Sequence, residues 1–216
     1  AHVDEVLLAR TERHRVFRRT LPEFGAVIVK QPLEGGGGRD AGAHLLHEFA
    51  LSRLCPPEAV RPVLGARLVD GLPALICADV GARPLPTVVA GTSLEERLGL
   101  AIAITRALAA VHRIGVTHGD LAPDNVLVTE AGAALLVDLE LATLAPRRTP
   151  EAAHPAELPA TLATIAPEST GRLRRYSDRR ADLYSLGATL FELFAGTPPF
   201  PDADRLTLVQ SHIARD

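Results

Sequence analysis

His118-Gly119-Asp120-Leu121-Ala122-Pro123-Asp124-Asn125 is followed directly by the apolar run Val126–Val128. Asp120 and Asn125 are separated by four residues, so one short loop can aim the Asp120 carboxylate at a substrate hydroxyl. The carbonyl oxygen of Asn125, at the far end of that loop, can then face a magnesium ion. An ordinary Asp/Asn-rich turn between a helix and a strand is the alternative interpretation. The residues on both sides of this stretch favour the first interpretation.

The composition is that of a globular chain without a basic surplus. Of the 216 residues, 47% are apolar and 23% are charged, which suffices for a buried core in one domain or a domain of two lobes. The net charge of −3 argues against nucleic acid or anionic lipid as a partner. The most apolar helix-length window, residues 94–114, carries several charged residues and excludes a membrane span. Cys55 and Cys77 lack metal-type spacing and no signal peptide opens the chain, so we expect a reduced, cytoplasmic protein.

Two residue types occur once each in the sequence. Lys30 is the only lysine among 23 basic residues, and Asn125 is the only asparagine. An ammonium group is a compact point charge that a guanidinium does not replace, so a lone lysine in an arginine-rich chain indicates a chemical task. A solvated lysine at the end of a strand is the alternative interpretation.

The first third of the chain alternates short apolar runs with turn residues, which predicts antiparallel strands. Lys30 closes the third of these strands, and Glu48 lies in a helix predicted over residues 40–54. The four glycines at 35–38 lack the spacing of a phosphate-binding loop and are interpreted as a flexible connection. The predicted strands cover residues 6–8, 15–17, 26–29, 64–69 and 73–77, and a turn-rich hinge follows over 79–84.

The remainder of the chain is predicted to be mainly helical. Ser93 and Glu96 form a capping box at the start of a buried helix. Asp138 follows directly after a short predicted strand. The predicted elements are helices over 93–112, 182–194 and 205–213, a strand over 133–137, and a long loop over 143–161 that Ala166-Pro167-Glu168 closes.

With these residues in place, the chain resembles the eukaryotic-like serine/threonine protein kinases of bacteria over nearly its whole length. The motif residues occur in the family's order and spacing: Lys30, Glu48, Asp120, Asn125, Asp138 and Ala166-Pro167-Glu168. Asp182 looks like the helix-start aspartate that steadies the family's catalytic loop. The resemblance implies an α+β fold of two lobes. A small antiparallel sheet with one helix would cover 1–78, a hinge 79–84, and a mainly helical lobe without the family's last helices 85–216.

The resemblance also implies roles for individual residues in an ATP- and Mg²⁺-dependent transfer of phosphate to protein serine or threonine hydroxyls. Asp120 would accept the hydroxyl proton, with Lys30 and Asn125 as the other catalytic residues. The metal ligands would be Asn125, Asp138 and Glu140. Contacts to the nucleotide would come from Lys30, Glu48, Ile28, Val16 and Asp79. The partner would be a protein substrate or the downstream domains of the same polypeptide.

A narrower resemblance is carried by residues 168–173 and 176–200. These segments look like the amino-terminal kinase domain of large bacterial sensor proteins, which continue into an ATPase-type module and a histidine kinase. This resemblance implies that the chain is one module of a larger signalling protein.

Four positions depart from the family's pattern. Residues 9–16 occupy the place of the glycine-rich loop without one glycine, which hinders close approach of backbone N–H groups to phosphates. Ile28 replaces a small alanine, Gly119 replaces the arginine of H-R-D, and Asp138-Leu139-Glu140 stands for D-F-G. Two alternatives therefore stay open. One is a pseudokinase that binds partners, favoured by the missing glycines. The other is a small-molecule kinase of the aminoglycoside or choline kinase type, favoured by His118-Gly119-Asp120 and Glu140.

Glu140 stands two residues after Asp138. If the chain leaves the preceding strand with strand geometry, both carboxylates point the same way and face the metal region. The alternative is a Glu140 side chain that turns outward to Arg147 or Arg148.

Overall fold

The computed structural model describes residues 5–11, 13–33, 41–144, 162–170, 178–201 and 204–214 of the chain. The four glycines at 35–38, most of the predicted loop over 143–161, and Arg147 and Arg148 lie outside these ranges. The predictions made for those residues stay predictions.

A five-stranded antiparallel sheet forms the first part of the described structure. Its strands are β1 (Glu5–Arg10), β2 (His14–Leu21), β3 (Gly25–Pro32), β4 (Val63–Val69) and β5 (Leu72–Ala78). They lie in the order β1-β2-β3-β5-β4. The strands predicted from the apolar runs are confirmed, and each is longer than predicted because ladder pairing extends beyond the apolar residues.

The prediction that Lys30 closes its strand is wrong, because Lys30 lies inside β3. The strand continues beyond Lys30 because Gln31 pairs with Arg15 and Pro32 pairs with His14 of β2. Residues 27–32 of β3 are all buried. The position in the ladder therefore carries the lysine into the interior of the protein.

Helix α1 (Ala41–Ser52) packs across one face of this sheet. Its Leu45 joins Ile28, Leu75 and Cys77 in a buried apolar cluster. Glu48 follows Leu45 by three residues, so both side chains lie on the same face of the helix and turn toward β3. Glu48 is only 5% exposed, so it is a buried charge and not a solvated residue of the helix surface.

The rest of the described chain is mainly helical and surrounds a second core. Its regular elements are β6 (Arg83–Pro84), α2 (Leu85–Val89), α3 (Leu94–Arg113), β7 (Val126–Val128), β8 (Ala134–Leu136), α4 (Arg179–Ala195) and α5 (Arg205–Ala214). Helix α3 and the β7–β8 hairpin contribute Ile104, Val126 and Leu136 to the largest apolar cluster. A small antiparallel sheet with one helix, followed by a mainly helical part, confirms the predicted α+β architecture.

The predicted helix ends are close to the observed ones. The capping box of α3 is formed, since Ser93 Oγ accepts from Glu96 N at 3.2 Å and Glu96 accepts from Ser93 N at 2.7 Å. Gly196 caps the carboxyl end of α4, and its φ of +78° is available to glycine at no steric cost. Elements β6 and α2 were not predicted, because two and five residues are too short to show a periodicity.

The division into lobes at 1–78, 79–84 and 85–216 stays a prediction. No helix in the described ranges is both long enough and apolar enough to cross a membrane.

Candidate active site

A buried lysine of β3, the central strand of the sheet, holds two carboxylates together. Lys30 Nζ lies 2.7 Å from Glu48 Oε2 and 2.8 Å from Asp138 Oδ1. The three groups come from β3, from α1 and from the residue that precedes the 3₁₀ turn Leu139–Leu141. The structure thus brings together three site residues that are far apart in the sequence.

The charges of this group are mutually dependent. Burial alone would lower the pKa of Lys30, but the carboxylates of Glu48 and Asp138 outweigh burial and raise it above its ordinary value. Burial alone would raise the pKa of Asp138, but the ammonium group of Lys30 outweighs burial and lowers it. Lys30 is therefore a cation and Asp138 an anion at neutral pH, as phosphate and metal binding require.

The loop between α3 and β7 orients Asp120 and Asn125 toward each other. Asn125 ends the 3₁₀ turn Pro123–Asn125, and its Nδ2 donates to the backbone oxygen of Asp120 at 2.8 Å and to Asp120 Oδ2 at 3.2 Å. Because the amide nitrogen faces Asp120, the amide oxygen is the atom of Asn125 that can face a metal. Backbone N–H of Val137 donates to the backbone oxygen of Asn125 at 3.0 Å, which places this loop beside Asp138.

Asp182 of α4 holds the same loop from the protein interior. Its carboxylate accepts from the backbone N–H groups of His118 at 2.7 Å and of Gly119 at 2.8 Å. Its Oδ2 is also 2.7 Å from Nε2 of His112, in the last turn of α3. Asp182 is 1% exposed, so these contacts satisfy a buried charge. Sequence reasoning missed His112, because nothing in a helix-end histidine indicates a distant partner.

Position 119 accommodates only glycine for a steric reason. Its φ is +80°, and a Cβ added there would lie 2.6 Å from the backbone oxygen of Leu141. An arginine, which the family pattern has at this position, needs a different path for residues 138–142. The departure from H-R-D is therefore a consequence of how closely the two segments pass.

The geometry expected for Glu140 is wrong. The strand ends at Leu136, Asp138 is left-handed with φ +65°, and Glu140 sits in a 3₁₀ turn, so the alternation of a strand does not apply. Glu140 nevertheless lies beside the cleft, with Oε2 3.9 Å from Lys30 Nζ. Its other neighbours are basic residues of the β1–β2 turn, β2 and α1: Arg13, His14 and His44.

Three more of the residues predicted to contact the nucleotide lie in or directly after strands of the sheet: Val16, Ile28 and Asp79. Val16 is partly buried against the apolar cluster that contains Ile28, and Ile28 is 4% exposed. Asp79, after the end of β5, accepts two hydrogen bonds from Arg18, with Nε–Oδ2 2.5 Å and Nη2–Oδ1 3.3 Å. The structure therefore engages Asp79 in an ion pair, which the sequence did not predict.

The segment before α4 contacts the loop from its other side. Thr164 Oγ1 donates to the backbone oxygen of Leu121 at 2.8 Å. Ala166 precedes the 3₁₀ turn Pro167–Thr170, in which Ser169 N donates to Ala166 O at 2.9 Å. Ala166-Pro167-Glu168 thus stands next to the loop that carries Asp120.

The comparisons with known proteins agree with this arrangement. Residues 90–215 match the protein kinase domain. The chain is 34% identical to the DNA damage-responsive serine/threonine-protein kinase RqkA of Deinococcus radiodurans, over 88% of the chain and 31% of that protein. It is 35% identical to the serine/threonine-protein kinase Pkn1 of Myxococcus xanthus, over 72% and 21%. It is 29% identical to a probable serine/threonine-protein kinase of Clostridium perfringens, over 76% and 24%.

The chain belongs to the protein kinase domain family, and the resemblance to bacterial serine/threonine kinases is confirmed. It spans less than a third of the length of these relatives. The narrower resemblance to sensor proteins stays a prediction.

Proposed function

We propose that this chain transfers the γ-phosphoryl group of ATP to serine or threonine hydroxyls of a protein. The observation that carries the proposal is the meeting of two groups of side chains. Lys30, Glu48 and Asp138 form one group, and the hydrogen-bonded pair of Asp120 and Asn125 forms the other, joined through Val137. Electrostatic positioning of this kind is the main contribution of a protein to phosphoryl transfer.

The side chains present fit a nucleoside triphosphate with magnesium, which protein kinases generally use. Lys30 is a buried cation held in place by two carboxylates, so it can meet phosphate oxygens without a search over rotamers. In the described residues, no three or more His, Cys, Asp or Glu side chains are grouped so as to hold a metal alone. Magnesium takes one or two carboxylates and completes its shell with phosphate oxygens and water. Asn125 and Asp138 therefore suffice as its protein ligands.

Each residue of the site has a separate task. When bound, ATP supplies the reactive phosphoryl group and Mg²⁺ neutralises its charge. Glu48 keeps Lys30 in position, Asp120 accepts the proton of the attacking hydroxyl, and Asn125 fixes the orientation of the Asp120 carboxylate. Asp182 holds the loop by its backbone. Val16 and Ile28 are the apolar residues that would contact the base. Asp79, directly after β5, would be a polar contact of the nucleotide.

A protein is the substrate class that the observations support. The relatives described above are named as protein kinases, and the Ala166-Pro167-Glu168 segment stands beside the catalytic loop. A small-molecule kinase is the less supported alternative. We also propose that the chain is a cytoplasmic module of a larger bacterial signalling protein. Its two lobes would cover residues 1–78 and 85–216, joined by a hinge at 79–84. The much greater length of the relatives supports the larger protein.

A pseudokinase is the second candidate function. The β1–β2 turn supports it, since Arg13 and His14 stand where the family has glycine-rich backbone, and both contact Glu140 across the cleft. That arrangement obstructs the usual approach of backbone N–H groups to phosphates.

Incubation with labelled ATP, Mg²⁺ and a general acceptor protein tests the proposal. We expect label on serine and threonine, and a loss of about a hundredfold or more in Asp120→Asn with ATP binding retained. Asp124→Asn, an exposed carboxylate of the same loop, is the matched control and keeps the activity. If the parent chain binds ATP but transfers no phosphate, the result supports the pseudokinase and contradicts the proposed enzyme.

A further inference from the structure

The carboxylate of Glu140 is enclosed by four basic side chains. Its Oε1 lies 3.3 Å from His44 Nδ1 and 3.7 Å from Arg13 Nη1. Its Oε2 lies 3.6 Å from His14 Nδ1 and 3.9 Å from Lys30 Nζ. The side chain of Glu140 is 12% exposed. Arg13 and Lys30 are the cations of this group, whereas burial and the charge of Lys30 lower the pKa of His14, so that its imidazole is a neutral partner. Together the four side chains form an anion pocket that a residue of the chain already fills.

The four basic residues come from four separate places in the fold. Arg13 belongs to the β1–β2 turn, His14 opens β2, Lys30 lies in β3 and His44 lies in α1. Glu140 enters from the turn after Asp138, on the opposite side of the cleft. One side chain thus ties the β1–β2 turn and α1 to the segment that carries the proposed metal ligand.

The charge balance opposes a polyphosphate while Glu140 is in place. Three carboxylates then face Lys30, since Glu48 and Asp138 lie within 2.8 Å and Glu140 at 3.9 Å. The side chain of Arg13 is 51% exposed and sits on a turn, so it can swing toward a ligand. Its guanidinium offers charged N–H donors where the family offers backbone N–H groups.

We propose that this pocket receives the terminal phosphates of the nucleotide, with Arg13 as an added phosphate ligand and Glu140 as an internal anion that competes with them. The inference rests on the proposed function only in taking the ligand to be a nucleoside triphosphate. It concerns binding, not transfer, and binding measurements decide it whatever the outcome of the phosphotransfer assay.

Calorimetric titration with three ligands at fixed Mg²⁺ tests the proposal: ATP, tripolyphosphate as a phosphate-only probe, and adenosine as a base-only probe. Glu140→Gln removes the charge and keeps the shape. We expect it to bind ATP and tripolyphosphate roughly tenfold more tightly, the value of one charge-assisted contact. Arg13→Ala is expected to weaken both by about the same factor. Adenosine binding stays unchanged in each variant.

Matched controls and a second variant separate a local effect from misfolding. Glu130→Gln and Arg106→Ala change exposed residues of the β7–β8 turn and of α3 and leave all three affinities unchanged. Glu140→Ala, compared by thermal melting with the parent chain, repeats the test if the glutamine variant is unstable.

Several results overturn the proposal. Unchanged phosphate affinity in both Glu140 variants means that Glu140 does not compete. Weaker ATP binding with a higher Mg²⁺ requirement in those variants, and in Glu140→Gly, makes Glu140 a metal ligand, as the sequence predicted. An absence of tripolyphosphate binding in every variant excludes the anion pocket. Phosphotransfer by the parent chain together with any of these results leaves the proposed function standing and removes this inference alone.

Discussion

Lys30 is 5% exposed and faces two carboxylates at 2.7 and 2.8 Å. A lysine at the solvated end of a strand contributes mainly to a ligand, and its loss leaves the fold nearly as stable. A lysine inside the sheet between Glu48 and Asp138 has a structural task as well. At the scale of single residues, function and stability therefore depend on the same ammonium group.

Replacement of Lys30 is expected to weaken ATP binding and to lower the stability of the fold. In Lys30→Met, Glu48 stays buried without its counter-charge, which destabilises a protein by about 3–5 kcal/mol. The ATP-dependent rise in melting temperature is lost at the same time. Urea unfolding with and without ATP measures both effects. An unchanged free energy of unfolding contradicts the buried ion pair, and an unchanged ATP shift contradicts the role in binding.

Gly119 offers a second test at this scale. Gly119→Ala places a Cβ 2.6 Å from the backbone oxygen of Leu141, whereas Gly132, with a similar φ of +77°, has no atom within 4 Å of the same position. Both alanine variants carry the cost of left-handed backbone, about 1–2 kcal/mol. Only Gly119→Ala adds the steric conflict, so its free energy of unfolding falls further than that of Gly132→Ala. Equal losses in urea unfolding would show that the two segments part easily.

At the scale of elements, a loop takes its shape from a helix that lies far away in the sequence. In the loop from His118 to Asn125, two backbone N–H groups donate to the carboxylate of Asp182 in α4. Asp182 in turn contacts His112 at the end of α3. Helices α3 and α4 thus hold the catalytic loop between them.

Loss of the negative charge of Asp182 is expected to make the loop from His118 to Asn125 more mobile without changing the nucleotide site. Asp182→Asn converts one acceptor at the backbone N–H groups of His118 and Gly119 into a donor, so at least one of these contacts is broken. We expect faster hydrogen exchange over residues 117–121 and a lower transfer rate, with ATP affinity within about twofold of the parent chain. Asp178→Asn, which keeps a side-chain oxygen at the N-cap of the same helix, is the control. Unchanged exchange in Asp182→Asn contradicts the proposed support.

At the scale of the whole molecule, a few polar contacts join the sheet to the helical part. Asp138 binds Lys30 of β3, and His47 of α1 lies 2.8 Å from the backbone oxygen of Ala142. Arg61 N donates to the backbone oxygen of Leu136 in β8 at 3.1 Å. Segment 136–142 is therefore a place at which the sheet and the helical part meet.

The contact of Asp138 makes this junction sensitive to acid. Because Lys30 lowers the pKa of Asp138 in the folded protein, the folded state gains stability above the ordinary carboxyl pKa of about 3.9. The gain is lost as the pH falls through the lower folded-state pKa. We expect the parent chain to be more stable than Asp138→Asn at pH 6, with the difference shrinking below about pH 4. Unfolding curves between pH 3 and 6 measure it, with Asp124→Asn as the exposed control. A difference independent of pH contradicts the ion pair.

Much of the fold was predicted because it depends on local patterns. The apolar runs of β1 to β5, the Ser93–Glu96 capping box and the glycine after α4 act within a few residues, where hydrogen bonding and dihedral preferences decide. Helix α2 escaped prediction because five residues are too few to show a period. The Arg18–Asp79 pair escaped it because β2 and the end of β5 come near each other only across one intervening strand, β3.

The sequence by itself determined the identity and the order of the residues with chemical tasks, from Lys30 to Asp182, and so the kinase family of this chain. Spacing along the chain is enough for that, since a motif is a local constraint on one short segment. Only the tertiary structure decided what surrounds these residues. It placed Lys30 inside the sheet, required glycine at 119 through Leu141, and enclosed Glu140 among Arg13, His14, Lys30 and His44. Charges and carbonyl groups act through space over a few ångströms, and the neighbours at that distance come from segments whose meeting no local pattern records.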